Sequence, residues 1–208
     1  MSILQIIELL ISFALLIVAM TVHEFSHGWV AYKLGDPTAK YSGRFTLNPL
    51  AHIDPIGTVL LPLTLFISTG GRFLFGYAKP IPVNFSALRN PRRDIIWVGL
   101  AGPASNIIFA AILSIILKIL PLNAFFYAII IRLLFINVVL AVFNMIPIPP
   151  LDGSRVLMGL LPWQLAIRYA AIEPFGFIIV ALLLFTGTLS LIIEPALRLV
   201  LRLLVINY

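Results

Sequence analysis

The 208-residue chain is 61% hydrophobic and only 11% charged, against about 25% charged in ordinary soluble domains, so solvated side chains cannot cover its surface. It has no cysteine, which excludes disulfides, thiolate catalysis and thiolate metal sites. The formal net charge of +6 is scattered without an interleaved aromatic platform, which argues against nucleic acid as a partner and for cytoplasmic loops facing anionic lipid headgroups.

Several apolar runs approach or pass the ~18–20 residues that cross a hydrocarbon core. They predict an all-α polytopic membrane protein, with about four transmembrane helices, a re-entrant segment and a small β-containing loop layer. The first helix is expected from about Ile3 to Leu34, apolar as far as Val22, then polar through His23-Glu24-Phe25-Ser26-His27, and stopped by Gly35-Asp36-Pro37. Its start has no basic n-region and no small-residue cleavage site, so it reads as mature structure and not as a signal peptide. Thr38 to Pro55 is rich in turn formers. Ile56 to Ile67 is apolar but short and contains Pro62, which suits a re-entrant or interfacial segment.

Between Gly70 and Pro91 lie many glycines and prolines with two β-prone pieces, Arg72–Tyr77 and Pro80–Phe85, expected as a hairpin layer near the membrane surface. A second span is expected from Asp94 to about Leu120, a turn at Pro121-Leu122-Asn123, and a third span from Phe125 or Ile130 to Asn144. The prolines of Pro147-Ile148-Pro149-Pro150 break the chain, a short helix follows Asp152-Gly153 to Leu161, and a last span covers roughly Phe175 to Ile193. Arg198 and Arg202 fall on one face of an amphipathic tail. No internal repeat or linker divides the chain, so residues 1–208 are expected to form a single transmembrane domain.

Lys33, Lys40 and Arg44 follow the first helix, and Lys79, Arg89, Arg92 and Arg93 precede the second span. The positive-inside rule puts both groups in the cytoplasm, with the N-terminus outside. Arg132, Arg198 and Arg202 fit that scheme less well, although Arg132 can snorkel outward if the third span starts late.

His23 and His27 are spaced i, i+4, so on a helix their rings share one face and can grip one metal ion. Glu24 stands beside them, placed to take a proton from a water that zinc acidifies toward pKa ~7. Polar residues at the end of an apolar helix cost several kcal/mol unless paired or coordinated, although a helix leaving the membrane also ends in polar residues. Catalytic zinc takes three protein ligands and keeps one position open. Asp152 is an acidic candidate for the third, at a proline-broken helix end of the kind tolerated in membranes only where it is buried or lines a cavity; an ordinary helix N-cap is the alternative.

The sequence resembles the site-two protease family of intramembrane zinc metalloproteases. The likeness rests on H-E-F-S-H at 23–27, Asn48-Pro-Leu-Ala-His52-Ile-Asp54-Pro-Ile-Gly57, Gly76-Tyr-Ala-Lys-Pro-Ile-Pro-Val-Asn84, Ala101-Gly-Pro-Ala-Ser-Asn106, and Asn144 through Leu151-Asp152-Gly153, in the family's order. The resemblance implies one zinc ion per chain held by His23, His27 and Asp152, with Glu24 as general base. It implies that Asn144 holds the scissile carbonyl or stabilises its oxyanion, with an interhelical hydrogen bond as the other reading. Asn106 and Gly102-Pro103 read as packing devices, and His52 as a group near the reaction or a turn stabiliser. The expected partners are transmembrane protein substrates, the lipid bilayer and a regulatory membrane protein. The expected place is a prokaryotic cell membrane, with the active site toward the cytoplasm.

No PDZ-like or nucleotide-binding module is present, so this is a compact form of the family. Leu151 stands before the aspartate where some relatives carry proline or methionine. Residues 80–84 could offer a strand edge to an unwound substrate. Alternatives are a membrane zinc hydrolase of prenylated peptides, which would need Glu173 or Glu194 as a ligand, and a zinc transporter or inactive membrane scaffold.

Overall fold

An unbroken apolar run makes the first element. In the computed structural model, which describes residues 3–68, 76 and 78–204, helix α1 covers Ile3–Lys33. It ends where Gly35 turns the chain at φ 113°, a conformation open to glycine, and the Asp36 N–H returns to the Ala31 carbonyl at 2.9 Å. The wholly buried Asp36 then ties two distant segments together. Its carboxylate accepts from the Thr38 N–H and hydroxyl, and from the distant Asn84 N–H at 2.7 Å.

A short helix α2 (Thr38–Tyr41) and a 3-10 turn (Pro49–Ala51) lead to a π-helical turn at Pro55–Leu60. Asp54 caps that turn, accepting from Ile56 and Gly57 N–H groups at 2.9 and 2.7 Å. Helix α3 (Leu61–Ser68) continues it for 8 residues. At 1.5 Å per residue this is ~12 Å, well short of a ~30 Å hydrocarbon core.

Helix α4 (Pro91–Ile119) starts on proline, with Asp94 accepting from the Asn90 N–H at 2.8 Å, and α5 (Ala124–Asn144) starts on Asn123, whose side chain accepts from the Phe126 N–H at 3.0 Å. Both starts satisfy donors that a helix leaves free. Then come α6 (Asp152–Leu160), α7 (Trp163–Ala170), α8 (Glu173–Phe185) and α9 (Thr188–Leu203). Helix α4 is central and packs on α1, α5 and α6. Helix α9 lays Leu197 and Leu201 against Ala110, Leu113, Leu134 and Val138, while Arg198 faces outward and pairs with Glu194 at 2.9 Å.

Helices α1, α4 and α5 are long and apolar enough to cross a membrane, and many large apolar side chains point outward from them, as a lipid-facing bundle requires. The chain is an all-α polytopic membrane protein.

Two expectations need correction. Among the described residues there is no strand, and the β-containing loop layer is not formed. Residues 80–84 run without a turn or bend, but Pro80 and Pro82 carry no N–H, and because alternate residues of a strand bond to the same side, one edge has lost its donors there. Two of the remaining donors go to side chains: Ile81 N–H to Glu24 at 2.8 Å and Asn84 N–H to Asp36. The other β-prone piece, 72–77, lies outside the described residues except for Gly76. The last span, expected over Phe175–Ile193, is not one helix. It breaks at Gly187, left-handed at φ 72°, whose N–H closes the end of α8 on the Leu184 carbonyl at 3.2 Å. The preceding α7 meets α8 at 66°.

Candidate metal centre

The i, i+4 spacing places the rings of His23 and His27 together on α1, edge to face with centroids 4.7 Å apart. Both residues are buried. The chain reaches Asp152 from α5 through turns at 145–151, and Gly153 lets α6 begin tight against the end of α5. A Cβ there would lie 2.5 Å from the Met145 carbonyl carbon. Asp152 Oδ2 consequently stands 3.0 Å from His23 Nε2 and 3.2 Å from His27 Nε2, and the two Nε2 atoms are 3.1 Å apart.

These three atoms form a near-equilateral triangle, and the far sides of the rings say what it is for. His23 Nδ1 meets Asn106 Oδ1 at 2.6 Å and His27 Nδ1 meets the Val98 carbonyl at 2.7 Å. Each acceptor fixes the ring proton on Nδ1 and leaves a bare lone pair on Nε2. Asp152 Oδ2 is buried with no hydrogen-bond partner. Two lone pairs and a carboxylate oxygen converging without a proton between them repel unless a cation lies among them. The edges approach the ~3.3 Å expected between ligands of a tetrahedral ion with bonds of ~2.0–2.1 Å. The donor set of two imidazoles and a carboxylate fits zinc. Asp152 is itself an acid, so its carboxylate can supply the anionic member of the set.

Among the described residues, His23, His27 and Asp152 are the cluster placed to hold a metal. Glu173 instead pairs with Arg155 through contacts of 2.5 and 3.2 Å, and Glu194 with Arg198. Neither takes the ligand position that a prenylated-peptide hydrolase would need.

Beside the triangle lies a cavity of about 290 Å³ whose wall includes Glu24, Asn144, Arg155 and the extended residues Pro80, Ile81 and Val83. Glu24 is held by the Ile81 N–H, and Gly28, one helical turn further on, leaves room for the Ile81 side chain. The Asn144 Nδ2 donates to the Leu140 carbonyl at 3.0 Å. A larger cavity of about 510 Å³ between α4, α5 and α9 is lined by apolar residues such as Leu100, Pro103 and Val200 and holds no acid or base.

His52 does not line the metal-side cavity. It is buried, and its Nε2 bonds the Thr46 carbonyl at 2.8 Å, the turn-stabilising reading. Gly102 does more than permit packing: a Cβ there would sit 2.5 Å from His23 Nε2 and about as close to His27 Nε2, against both nitrogens that face the metal position. Asn106 contacts a ring of the cluster directly, which goes beyond the packing role its motif suggests. Asn137, bonded to Asn106 at 2.7 Å, belongs to no sequence motif; the available signal was a lone amide in the middle of an apolar span.

Residues 121–187 match Peptidase family M50. The chain is 41% identical over 195 residues to the Bacillus subtilis (strain 168) protein named "Putative zinc metalloprotease YwhC", covering 88% of this chain and 84% of that one. It is 34% identical to "Putative zinc metalloprotease Rip2" of Mycolicibacterium smegmatis, over 84% of this chain and 66% of that protein. "Zinc metalloprotease MJ0392" of Methanocaldococcus jannaschii is 28% identical over 72% of this chain and 34% of its own. No solved structure matches. With the family match, the high identity along most of the chain and a donor set suited to zinc, the chain belongs to peptidase family M50, the site-two protease family, and is a zinc metalloprotease.

Proposed function

We propose that the protein is an intramembrane endopeptidase that cuts transmembrane segments of other membrane proteins, in regulated proteolysis at a prokaryotic cell membrane. The observation that carries this reading is position: His23, Glu24 and His27 lie on α1, one of the three helices long and apolar enough to cross a bilayer. Peptide bonds that reach them belong to chains in or at the membrane.

His23, His27 and Asp152 are the proposed zinc ligands. Zinc held there supplies Lewis-acid polarisation of the scissile carbonyl and acidifies water toward pKa ~7. Glu24 takes the proton of the attacking water and returns it to the leaving amine. The Asn144 amide, one hydrogen given to Leu140, keeps the other for the scissile carbonyl or its oxyanion. A substrate helix must first lose its own backbone bonds, and residues 80–84, already extended along the cavity wall, offer carbonyl groups to the unwound segment. Cross-links from this stretch to a bound substrate are the expected result, and uniformly absent contacts would contradict it.

The cytoplasmic orientation is supported by the basic residues and by the interface they make. Lys33 lies over the Trp29 ring at 5.7 Å and Lys40 over Tyr32 at 5.1 Å, aromatic–basic pairs of the kind found at a membrane surface. These come directly after His27, so water reaches the site from that side. A separate membrane partner is the proposed regulator.

The test is cleavage in proteoliposomes holding single-span membrane proteins. The expected result is a fragment with a new terminus within or at the edge of the span, absent with Glu24→Gln. An active Glu24→Gln protein would overturn the base assignment. Zinc uptake into the same vesicles without cleavage would favour the transporter.

A further inference from the structure

His23 offers the metal its Nε2, but which nitrogen carries the ring proton is decided on the other side of the ring. There it meets a side-chain amide, Asn106 Oδ1 at 2.6 Å. An amide is two-ended. Turned over, Asn106 would present its N–H to Nδ1, drive the proton to Nε2 and remove the lone pair from the triangle. Nothing in the His23–Asn106 pair alone prevents this.

The groups that prevent it lie one shell further out. Asn106 Nδ2 donates to the Ala19 carbonyl at 3.3 Å and to Asn137 Oδ1 at 2.7 Å. Asn137 Nδ2 in turn donates to the Leu133 carbonyl at 2.8 Å. Backbone carbonyls can only accept, so Leu133 fixes which end of Asn137 faces it, Asn137 and Ala19 fix Asn106, and Asn106 fixes His23. Asn106 and Asn137 are both 0% exposed, where an amide left unbonded is costly, so neither has water as an alternative partner. His27 reaches the same state in one step, against the Val98 carbonyl, an acceptor that cannot be turned over.

We propose that Asn106 and Asn137 form a buried polarity relay, anchored on the Ala19 and Leu133 carbonyls, that holds His23 in its metal-binding tautomer and thereby sets metal affinity. They are positioning residues, and the relay joins all three long helices, α1, α4 and α5, at the level of the metal. This rests on the reading of His23 as a ligand.

The experiment is competitive zinc titration of the metal-free protein in detergent, with the visible spectrum of the cobalt-loaded form and the melting temperature of the metal-free form as companions. Asn106→Leu is expected to weaken zinc binding by ~10–100-fold, the range for groups that orient a ligand, with an altered cobalt spectrum. Asn137→Leu, which leaves the amide facing His23 but free to turn, is expected to cost less. In the double variant, Asn137→Leu is expected to cost no further affinity once residue 106 is Leu, because the relay then no longer reaches His23.

Unchanged zinc affinity and spectrum in Asn106→Leu would overturn the relay. So would an equal loss from Asn137→Leu whether residue 106 is Asn or Leu, which is the signature of packing alone. Zinc retained by His23→Ala, or absent from the wild type, would instead remove the ligand reading, and the relay with it.

Discussion

The two sides of the cavity are built by different means. On one side α1, α4 and α5 carry buried groups bonded on every face: His23 to Asn106, Asn106 to Asn137, His27 to the Val98 carbonyl. On the other side residues 80–84 have no ladder, and are pinned by single bonds to Glu24, to Asp36 and, through Lys79, to the His52 carbonyl. His23 and Glu24 are neighbours in sequence, yet one is fixed by the helical wall and the other by the extended one. The difference assigns different mechanical tasks. A metal site must be rigid before anything binds, whereas a wall that accepts an unwound chain has to exchange its few bonds for new ones.

The rigid wall is most vulnerable at Gly102. Gly102→Ala puts a methyl group against both histidine Nε2 atoms, and zinc affinity should fall roughly 100-fold or more, at or beyond the upper end of outer-shell effects. Metal analysis of the purified variant checks it, and full zinc occupancy would show that the helical wall yields. Ile81→Pro tests the other wall by deleting the N–H that holds Glu24. A hydrogen bond to a charged group contributes ~1.5–3 kcal/mol, so kcat/KM should drop about 10–100-fold. Zinc content should stay unchanged, and Ile81→Val should behave as wild type. Equal losses of metal and activity would erase the distinction between the walls. The smallest effect belongs to the partly exposed Arg155–Glu173 pair, where α6 meets α8. Glu173→Gln should cost about 1 kcal/mol or less, visible as a small drop in melting temperature with metal content intact.

The rigid side was the legible one. Long apolar runs marked α1, α4 and α5, the first two to within three residues and the third with its start left between Phe125 and Ile130, because length and hydrophobicity decide what crosses a membrane. The pairing of His23 and His27 follows from helical periodicity, and the proline break pointed at Asp152. The pliant side was not legible. The composition of Pro80–Phe85 is β-prone, but Pro80 and Pro82 remove the donors from one edge of a strand, and the partner that the Ile81 N–H finds, Glu24, is remote in sequence. Asn137 belongs to no motif, and its meaning appears only when Asn106 is set beside it. The break in the last span was signalled by Thr186-Gly187, which the surrounding apolar residues outweighed in reading that stretch as a single helix.

The claim on which the rest depends is that two motifs far apart in sequence form one zinc site. The direct measurement is zinc content of the purified protein, wild type beside Asp152→Ala and His23→Ala/His27→Ala. One zinc per chain in the wild type, lost in both variants, is the expected result. Zinc retained without Asp152 would contradict it, because the histidines would then hold the metal with some other third ligand.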